Sequence, residues 1–418
     1  MKKTSPRAAS SLPVAAVDVG TTKVCCFIAR PEGDQPRVIG IGHQISRGVK
    51  NGAIVDIEAA SHSIATAVNA AEQMAGEQIE EVVVNLSGGI GPSRLVKAEI
   101  AVNGREITDS DMRRVLELGY RLKEPADRTV IHSVPVGFSI DGSRGIRDPR
   151  GMFGQKLGVN VNVVTAASTG LRNLASCIGR CHLEIAGLVV SPYAAGLAAL
   201  VDDESELGVT VIDMGGGATT IAVFFDGNLV FTDGVPVGGG HVTNDIARGL
   251  STPIADAERM KTLHGSAIAS PADEREMISV PQVGEDDDGQ ATNVPKSLLV
   301  GIIAPRIEET FELARDRLES SGFDKIVGRQ IVLTGGASQL PGVRELAGII
   351  LDKKIRIGRP LRILGLAEAT NGPAFATTAG LVHFALSESA ENPRHGRALT
   401  EEPNGVIGRF GHWIREYF

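Results

Sequence analysis

Short apolar runs alternate with longer amphipathic stretches over most of the chain. The apolar runs are rich in Val and Ile and end in Gly, Thr or Asp, as in VAAVDVG, EVVVNLSGG, GVTVIDMGGG and IVLTGG. Such runs are typical of buried strands, and the stretches between them have the spacing of helices. Strands that alternate with helices predict an α/β fold in which helices cover the sheets.

One combination of strand and turn occurs twice, first around Asp18 and again around Asp213. VAAVDVGTTKVCCFIA and GVTVIDMGGGATTIAVFF each contain an apolar strand that ends near an Asp, a turn of small residues and a second apolar strand. Each segment is therefore predicted to form a β-hairpin. The repeat indicates that the chain is internally duplicated.

Two polar segments interrupt the alternation. Residues 264–298 contain several prolines and the acidic run EDDDGQATN, which lacks the ligand spacing of an EF-hand calcium loop. This composition predicts a surface loop. Residues 387–404, SESAENPRHGRALTEEPN, have the composition of a flexible linker.

The residues after this linker, GVIGRFGHWIREYF, form one apolar stripe when they are placed on a helix. The opposite face carries Arg409, His412, Arg415 and Glu416. An amphipathic helix rich in aromatic residues suits a bilayer interface, whereas docking on the protein's own core is the alternative that the polar linker disfavours. Since each of its two glycines weakens a free helix by ~1 kcal/mol, the segment is predicted to be helical only on lipid. The stripe consists of Val406, Ile407, Phe410, Trp413, Ile414, Tyr417 and Phe418.

Length, charge and composition argue against several classes of protein. The 418 residues are enough for two domains, and the net charge of -8 without clustered Lys and Arg argues against nucleic-acid binding. No uncharged apolar run is long enough to span a membrane, and the start, MKKTSPRAASSLP, lacks the apolar core of a signal peptide. Cys25, Cys26, Cys177 and Cys181 are predicted to be buried cytosolic thiols rather than a metal or redox site.

The glycine turns carry the candidate chemistry. In the first, small residues expose backbone N–H groups to an anion, Lys23 supplies positive charge, and Asp18 suits a Mg²⁺ ion held through waters. A plain structural hairpin explains one such turn equally well. The second turn, after Asp213, favours a polyphosphate gripped between two hairpins, and the glycines of IVLTGGASQLPG leave room for a base or ribose. No Walker P-loop pattern is present.

These turns belong to an ordered set of motifs that resembles a known superfamily. DVGTTK, LVVSPYAAGLAAL, VIDMGGGATT, IVLTGGASQLPG and PAFATTAGL are similar to the phosphate-1, connect-1, phosphate-2, adenosine and connect-2 motifs of actin, Hsp70 and the sugar kinases. Residues 132–166 and the segment GGGHVTNDIARGLSTPIADAERMKTLHG resemble the FtsA family of bacterial cell-division proteins. The resemblance implies an actin-like α/β fold. In it, two ribonuclease-H-like domains surround a nucleotide cleft, with an FtsA-type 1C subdomain and a C-terminal amphipathic helix.

The resemblance also implies a division of the chain. A disordered tail would precede subdomain 1A, subdomains 1C and 2B would be insertions, and a linker would join 2A and 1A to the terminal helix. The implied bounds are 1–12 for the tail, 13–88 with 167–206 and 376–388 for 1A, 89–166 for 1C, 207–245 with 327–375 for 2A, 246–326 for 2B, 389–404 for the linker and 405–418 for the helix.

Position by position, the resemblance implies a site for ATP and Mg²⁺. Asp18 and Asp213 would hold the metal through waters, and the three-residue spacing of Glu258 and Lys261 puts both on one helix face, where a surface ion pair is the alternative reading. Ser191 stands where actin has Gln and Hsp70 has Glu, so no catalytic residue is assigned and slow or negligible hydrolysis is expected. The implied nucleotide contacts are Gly20, Thr21, Thr22, Lys23, Gly215, Gly216, Gly217, Glu258, Lys261, Gly335 and Gly336.

The function that the resemblance implies is cell division. The chain would polymerise on the inner face of the cytoplasmic membrane at the division site and anchor FtsZ there. The FtsZ C-terminal tail would bind subdomain 2B near IAPRIEETFELARDRLESSG, while 1C would serve self-association and later divisome proteins. A small-molecule kinase and an actin-like scaffold of a pilus or secretion system are the alternatives. The 1C segment and the lipid-binding tail favour the division protein.

Overall fold

A computed structural model describes residues 12–391 except 122–124, 284–291 and 326. The predicted membrane helix, with its stripe from Val406 to Phe418, lies outside the described residues. So do residues 1–11 of the predicted tail, most of the predicted linker and most of the acidic run.

The described residues form strands and helices in the following order. The strands are β1 (Val14–Val19), β2 (Lys23–Glu32), β3 (Gln35–Ile45), β4 (Val49–Lys50), β5 (Ala53–Ile54), β6 (Glu81–Leu86), β7 (Arg94–Ala101), β8 (Arg128–Ile140), β9 (Ser143–Ile146), β10 (Lys156–Ala167), β11 (Glu184–Val190), β12 (Val209–Met214), β13 (Thr219–Phe225), β14 (Asn228–Val235), β15 (Met277–Val280), β16 (Thr292–Pro295), β17 (Gln330–Thr334) and β18 (Lys354–Ile357). The helices are α1 (Ile57–Ala75), α2 (Asp109–Tyr120), α3 (Ser168–Arg180), α4 (Ser191–Ala199), α5 (Asp202–Leu207), α6 (Gly239–Gly249), α7 (Ile254–His264), α8 (Lys296–Ser321), α9 (Val343–Leu351) and α10 (Ala376–Glu391).

Two five-stranded sheets repeat one topology, which confirms the predicted duplication. The first has the order β11-β6-β1-β2-β3 and the second the order β14-β13-β12-β17-β18. In each, three strands pair antiparallel through hairpins, and two further strands join the first of them in parallel. Both predicted hairpins, β1–β2 and β12–β13, are present at equivalent places.

Each sheet is covered on both faces, which explains the continuous apolar character of its strands. Cys26 and Ile28 face a core formed with α1 and α3, while Cys25 and Phe27 face a core formed with α4 and α10. Cys177 is buried as well, and Cys181 is partly exposed. Burial raises the pKa of the Cys25 thiol to about 11, so this thiol stays protonated at neutral pH.

Helix α4 lies between the two sheets and joins them. Its Ala195 and Ala199 belong to the same core as Val211 and Ala222 of the second sheet. The opposite face of the second sheet packs against α6, α8 and α9, through side chains such as Phe311. Each sheet and its helices form a layered unit, and the two units share a core of small residues around α4.

A four-stranded antiparallel sheet, β7-β10-β8-β9, is inserted between β6 and α3 and carries α2 on one face. It contacts both halves of the molecule: the backbone N–H of Val190 donates to Nε2 of His132 at 3.1 Å, and Ser93 exchanges hydrogen bonds with Thr232. Burial lowers the pKa of His132 to about 4, so the ring is neutral and its Nε2 accepts this bond.

Two segments differ from their predictions. The predicted loop 264–298 contains the antiparallel hairpin β15–β16, because Ile278 and Val280 share one face of the strand and are buried, while Met277 and Ser279 are exposed. Helix α10 continues to Glu391, into the segment predicted as linker, because its residues from Leu381 to that point include neither Gly nor Pro. Asn392 precedes a proline, which disfavours helical backbone.

Within the described ranges, no helix combines the length and the apolar character needed to cross a bilayer.

Candidate functional site

A cleft of about 430 Å³ lies where the two hairpins face each other, a volume typical of small-molecule sites. Every residue that the sequence singled out for binding nucleotide or Mg²⁺ lines this one cleft, although the two hairpins belong to different sheets. Ser191 lines it too. The predicted residues that meet here are Asp18, Gly20, Thr21, Thr22, Lys23, Asp213, Gly215, Gly216, Gly217, Glu258, Lys261, Gly335 and Gly336.

The first hairpin holds its turn with local hydrogen bonds and an ion pair. The N–H of Gly20 donates to the carbonyl of Lys23 at 3.0 Å, and Lys23 Nζ lies 3.2 Å from Asp18 Oδ2. Burial is the largest influence and disfavours the charged form of Lys23, but the charge and hydrogen bond of Asp18, together with Cys25 and Asp213, raise the pKa of this lysine above its usual value. The cleft therefore keeps a fixed positive charge beside the turn.

The second hairpin is backed by the start of α6. The N–H groups of Gly239 and Gly240 donate to the carbonyls of Gly215 and Gly216 at 3.0 and 2.7 Å. Gly239 and Gly240 also line the cleft. The positive end of a helix dipole thus lies next to the turn, which is favourable for an anion.

The two turns touch, and only glycine permits this approach. A Cβ on Gly217 would lie 2.6 Å from Asn51 Cα and would also collide with Thr21 Oγ1. A Cβ on Gly216 would collide with the side chain of Thr22. The glycines of the second turn are therefore fitted to the threonines of the first.

Asp18 and Asp213 are the second-last residues of the equivalent strands β1 and β12, and both are buried. Thr378 Oγ1 donates to Asp18 at 3.3 Å, and Thr377 Oγ1 donates to Asp213 at 3.1 Å, so the start of α10 ties both together. Burial first, and then the negative charge of Asp18, raise the pKa of Asp213 to about 6. Neither Thr377 nor Thr378 was predicted as a site residue, although both lie in the motif PAFATTAGL.

This donor set fits a hydrated magnesium ion. Two buried carboxylates of the same sign repel each other, and a divalent cation between them removes that cost. Mg²⁺ prefers oxygen ligands and keeps several of its waters. Two carboxylates that face one cleft supply acceptors for such waters.

Ser191 is the first residue of α4 and is buried. Its Oγ accepts a hydrogen bond from Asn85 Nδ2 at 3.1 Å, while Asn85 Oδ1 accepts from the N–H of Val19 at 2.6 Å. Asn85 is a cleft residue that the sequence analysis missed, because NLSGG carries no phosphate-binding signal. The Asn85 amide already makes hydrogen bonds to Val19 and Ser191. It therefore does not take the place of the Gln of actin or the Glu of Hsp70 at the position of Ser191.

Glu258 and Lys261 form both the surface ion pair and part of the cleft wall. Lys261 Nζ lies 2.6 Å from Glu258 Oε2 and also donates to Thr243 Oγ1 at 2.9 Å and to the carbonyl of Gly239 at 3.1 Å. The pair is thus tied to the start of α6. On the neighbouring wall Gly335 has a φ of 84°, where a side chain would collide with Asp213.

Comparisons with known proteins agree with this arrangement. A family model described as "Cell division protein FtsA" matches residues 210–380, and one described as "SHS2 domain inserted in FTSA" matches residues 92–165. The cell division protein FtsA of Rhizobium meliloti (strain 1021) is 50% identical over 418 residues, which cover 97% of this chain and 95% of that protein. FtsA of Escherichia coli (strain K12) is 31% identical over 418 residues, with coverages of 97% and 98%.

Solved structures show the same fold at low identity. The PilM–PilN type IV pilus biogenesis complex has a TM-score of 0.63 at 16% identity and covers 90% of this chain and 99% of its own. MreB5 of Spiroplasma citri bound to ADP has a TM-score of 0.53 at 14% identity, with coverages of 94% and 100%. The predicted actin-like fold is confirmed, and at such identities the likeness shows the fold alone.

Proposed function

Because this chain belongs to the FtsA family of cell division proteins, we propose that it binds ATP and Mg²⁺, polymerises at the division site and anchors FtsZ to the inner face of the cytoplasmic membrane. The observation that carries the nucleotide part is the cleft, in which two equivalent hairpins bring glycine turns and buried carboxylates face to face. The rest follows from family membership and from the amphipathic sequence after residue 404.

In this proposal the two turns hold the phosphates. Backbone N–H groups and the hydroxyls of Thr21 and Thr22 surround the anion, Lys23 balances its charge, and α6 points its positive end at the second turn. Glu258 and Lys261 lie where the ribose and base would be held, opposite Gly335 and Gly336. Asp18 and Asp213 would hold Mg²⁺ through waters, and the ion would neutralise phosphate charge. MreB5 of Spiroplasma citri, which has the same fold, was solved bound to ADP, and this supports nucleotide binding by a protein of this fold.

We expect slow hydrolysis, with turnover below about one per second, the lower end for kinase-class enzymes. Ser191 offers no carboxylate or amide to polarise the attacking water, and Asn85 is bonded to Ser191 and Val19. ATP then acts mainly as a ligand that favours one state of the cleft. A trapped-product assay with ATP and Mg²⁺ measures the rate, and a faster turnover would contradict this assignment.

The subdomains that the family resemblance implies are the basis on which we propose partner surfaces. We assign the FtsZ tail to residues 246–326, where α7, α8 and the β15–β16 hairpin expose the large apolar side chains Ile254, Val283 and Leu298. We assign self-association and later divisome proteins to the four-stranded sheet of residues 89–166, which exposes Phe153. Exposed apolar side chains of this size are typical of contact surfaces when they cluster.

A flotation assay tests the anchor. Purified FtsZ is mixed with phospholipid vesicles and either the full chain or a chain that ends at Glu402, which lacks the predicted membrane helix. We expect FtsZ to float with the vesicles only when the full chain is present, because the tail is the proposed lipid contact. Binding of an FtsZ-tail peptide to both chains in solution is the control. Equal flotation of the two chains would refute the anchor.

A further inference from the structure

Thr220 in β13 is a buried residue of the cleft whose hydroxyl has no partner in the part of the chain that the structure describes. Its side chain lines the cleft and is 2% exposed, and among the described residues its Oγ1 makes no hydrogen bond. Leaving a buried hydroxyl unpaired destabilises the folded protein, because the group loses its hydrogen bonds to water. Such a group in a ligand cleft calls for a water or a ligand as its missing partner.

The register of the hairpin puts this hydroxyl beside a carboxylate. Thr220 is the direct cross-strand partner of Asp213. In the first hairpin the equivalent partner of Asp18 is Cys25, a buried thiol that does not line the cleft. The two hairpins therefore differ at this position. A weakly polar thiol pairs with Asp18, whereas a hydroxyl that lines the cleft pairs with Asp213.

The two carboxylates also differ in how far they are already bonded. Asp18 Oδ2 lies within reach of two donors, Lys23 Nζ and Thr378 Oγ1. Asp213 Oδ2 receives a bond from Thr377 Oγ1. Asp213 therefore has fewer donors already in place than Asp18, and Thr220 Oγ1 has none among the described residues.

We propose that Thr220 Oγ1 and the Asp213 carboxylate together bind one water molecule of the hydrated Mg²⁺ that accompanies the nucleotide, which makes Thr220 a positioning residue for the metal. The inference rests on the proposed nucleotide function. A water bound to a cation uses its oxygen on the metal and donates both hydrogens. One carboxylate oxygen and one hydroxyl oxygen are the two acceptors that such a water needs.

The test measures ATP affinity of the full chain at saturating Mg²⁺ and again with EDTA. Replacing one hydroxyl with a methyl, in Thr220→Val, removes one hydrogen bond to the water. We expect the gain in affinity that Mg²⁺ gives to fall about five-fold, while the affinity in EDTA stays that of the parent. Thr220→Ser keeps the hydroxyl and is expected to retain the full gain.

Thr232→Val is the matched control. Thr232 is a buried threonine of the same sheet whose Oγ1 also has no partner among the described residues, but it does not line the cleft. Its substitution is expected to leave the gain from Mg²⁺ unchanged. An equal loss for Thr220→Val with and without Mg²⁺, or no loss at all, would overturn the assignment. A parent chain that binds no ATP in either condition would instead refute the nucleotide site itself, and the assignment with it.

Discussion

Gly217→Ala is expected to weaken ATP binding about 10- to 100-fold, because the added methyl group keeps the two hairpins apart. Its Cβ would stand 2.6 Å from Asn51 Cα and would collide with Thr21 Oγ1, so backbone on both sides of the cleft must move. Overpacking of this kind costs typically about 1–3 kcal/mol. This cost destabilises the arrangement in which the two turns are in contact, and the phosphates need that arrangement. Titration with a fluorescent ATP analogue in the presence of Mg²⁺ measures it.

Gly179→Ala is the control for the same chemical change. Gly179 lies in α3, and a Cβ built there meets no atom within 4 Å. ATP affinity should equal that of the parent, and thermal unfolding of both variants is followed to recognise a folding defect. If Gly217→Ala bound ATP as tightly as Gly179→Ala, close contact of the turns would not be a requirement for binding.

The sequence predicted the site well where the relevant residues are neighbours along the chain. In each hairpin the Asp, the glycines and the hydroxyl residues stand together at the end of a strand, and the repeat at Asp18 and Asp213 indicates that the two turns are equivalent. Equivalent turns of duplicated sheets meet once the sheets pack around α4, as they do here. The resemblance to known motifs then selected Glu258 and Lys261, which periodicity alone leaves as a surface ion pair.

Residues that reach the site from distant segments were not predictable in this way. Thr377 bonds a carboxylate 164 positions earlier and Thr378 one 360 positions earlier. Asn85 bridges the first hairpin and the start of α4. A local pattern does not specify which long-range partner a lone Thr or Asn will find. The free hydroxyl of Thr220 is of the same kind, since only the packed structure shows which hydroxyls remain unpaired.

Burial decided the segments where the expected secondary structure was wrong. Three prolines and seven acidic residues in residues 264–298 predict a loop, yet the four residues MISV place Ile278 and Val280 on one face and form β15. Ile278 and Val280 pack into the core of the second sheet. A short alternation carries little weight in a polar segment until a core is available to receive it.

Trp413→Glu is expected to release the full chain from vesicles, with at least a ten-fold fall in the bound fraction, while ATP affinity is unchanged. Seven large apolar side chains at ~1.5–3 kcal/mol each give a gross gain of roughly 10–20 kcal/mol when fully buried. Partial burial at the interface and the ordering of the helix, at about 1–2 kcal/mol per residue, offset most of it. The free-energy cost of placing a carboxylate in the middle of the stripe exceeds the small net gain that remains.

Trp413→Phe keeps an aromatic side chain in the stripe and is the matched control, expected to retain most of the binding. In the proposed anchoring one tail binds weakly and firm attachment requires a polymer that presents many tails, so the loss at each tail is multiplied along the polymer. The charged variant should therefore fail to float even under conditions that favour polymers. Flotation of Trp413→Glu at the level of Trp413→Phe would mean that the stripe is not the lipid contact, and that the tail docks on protein instead.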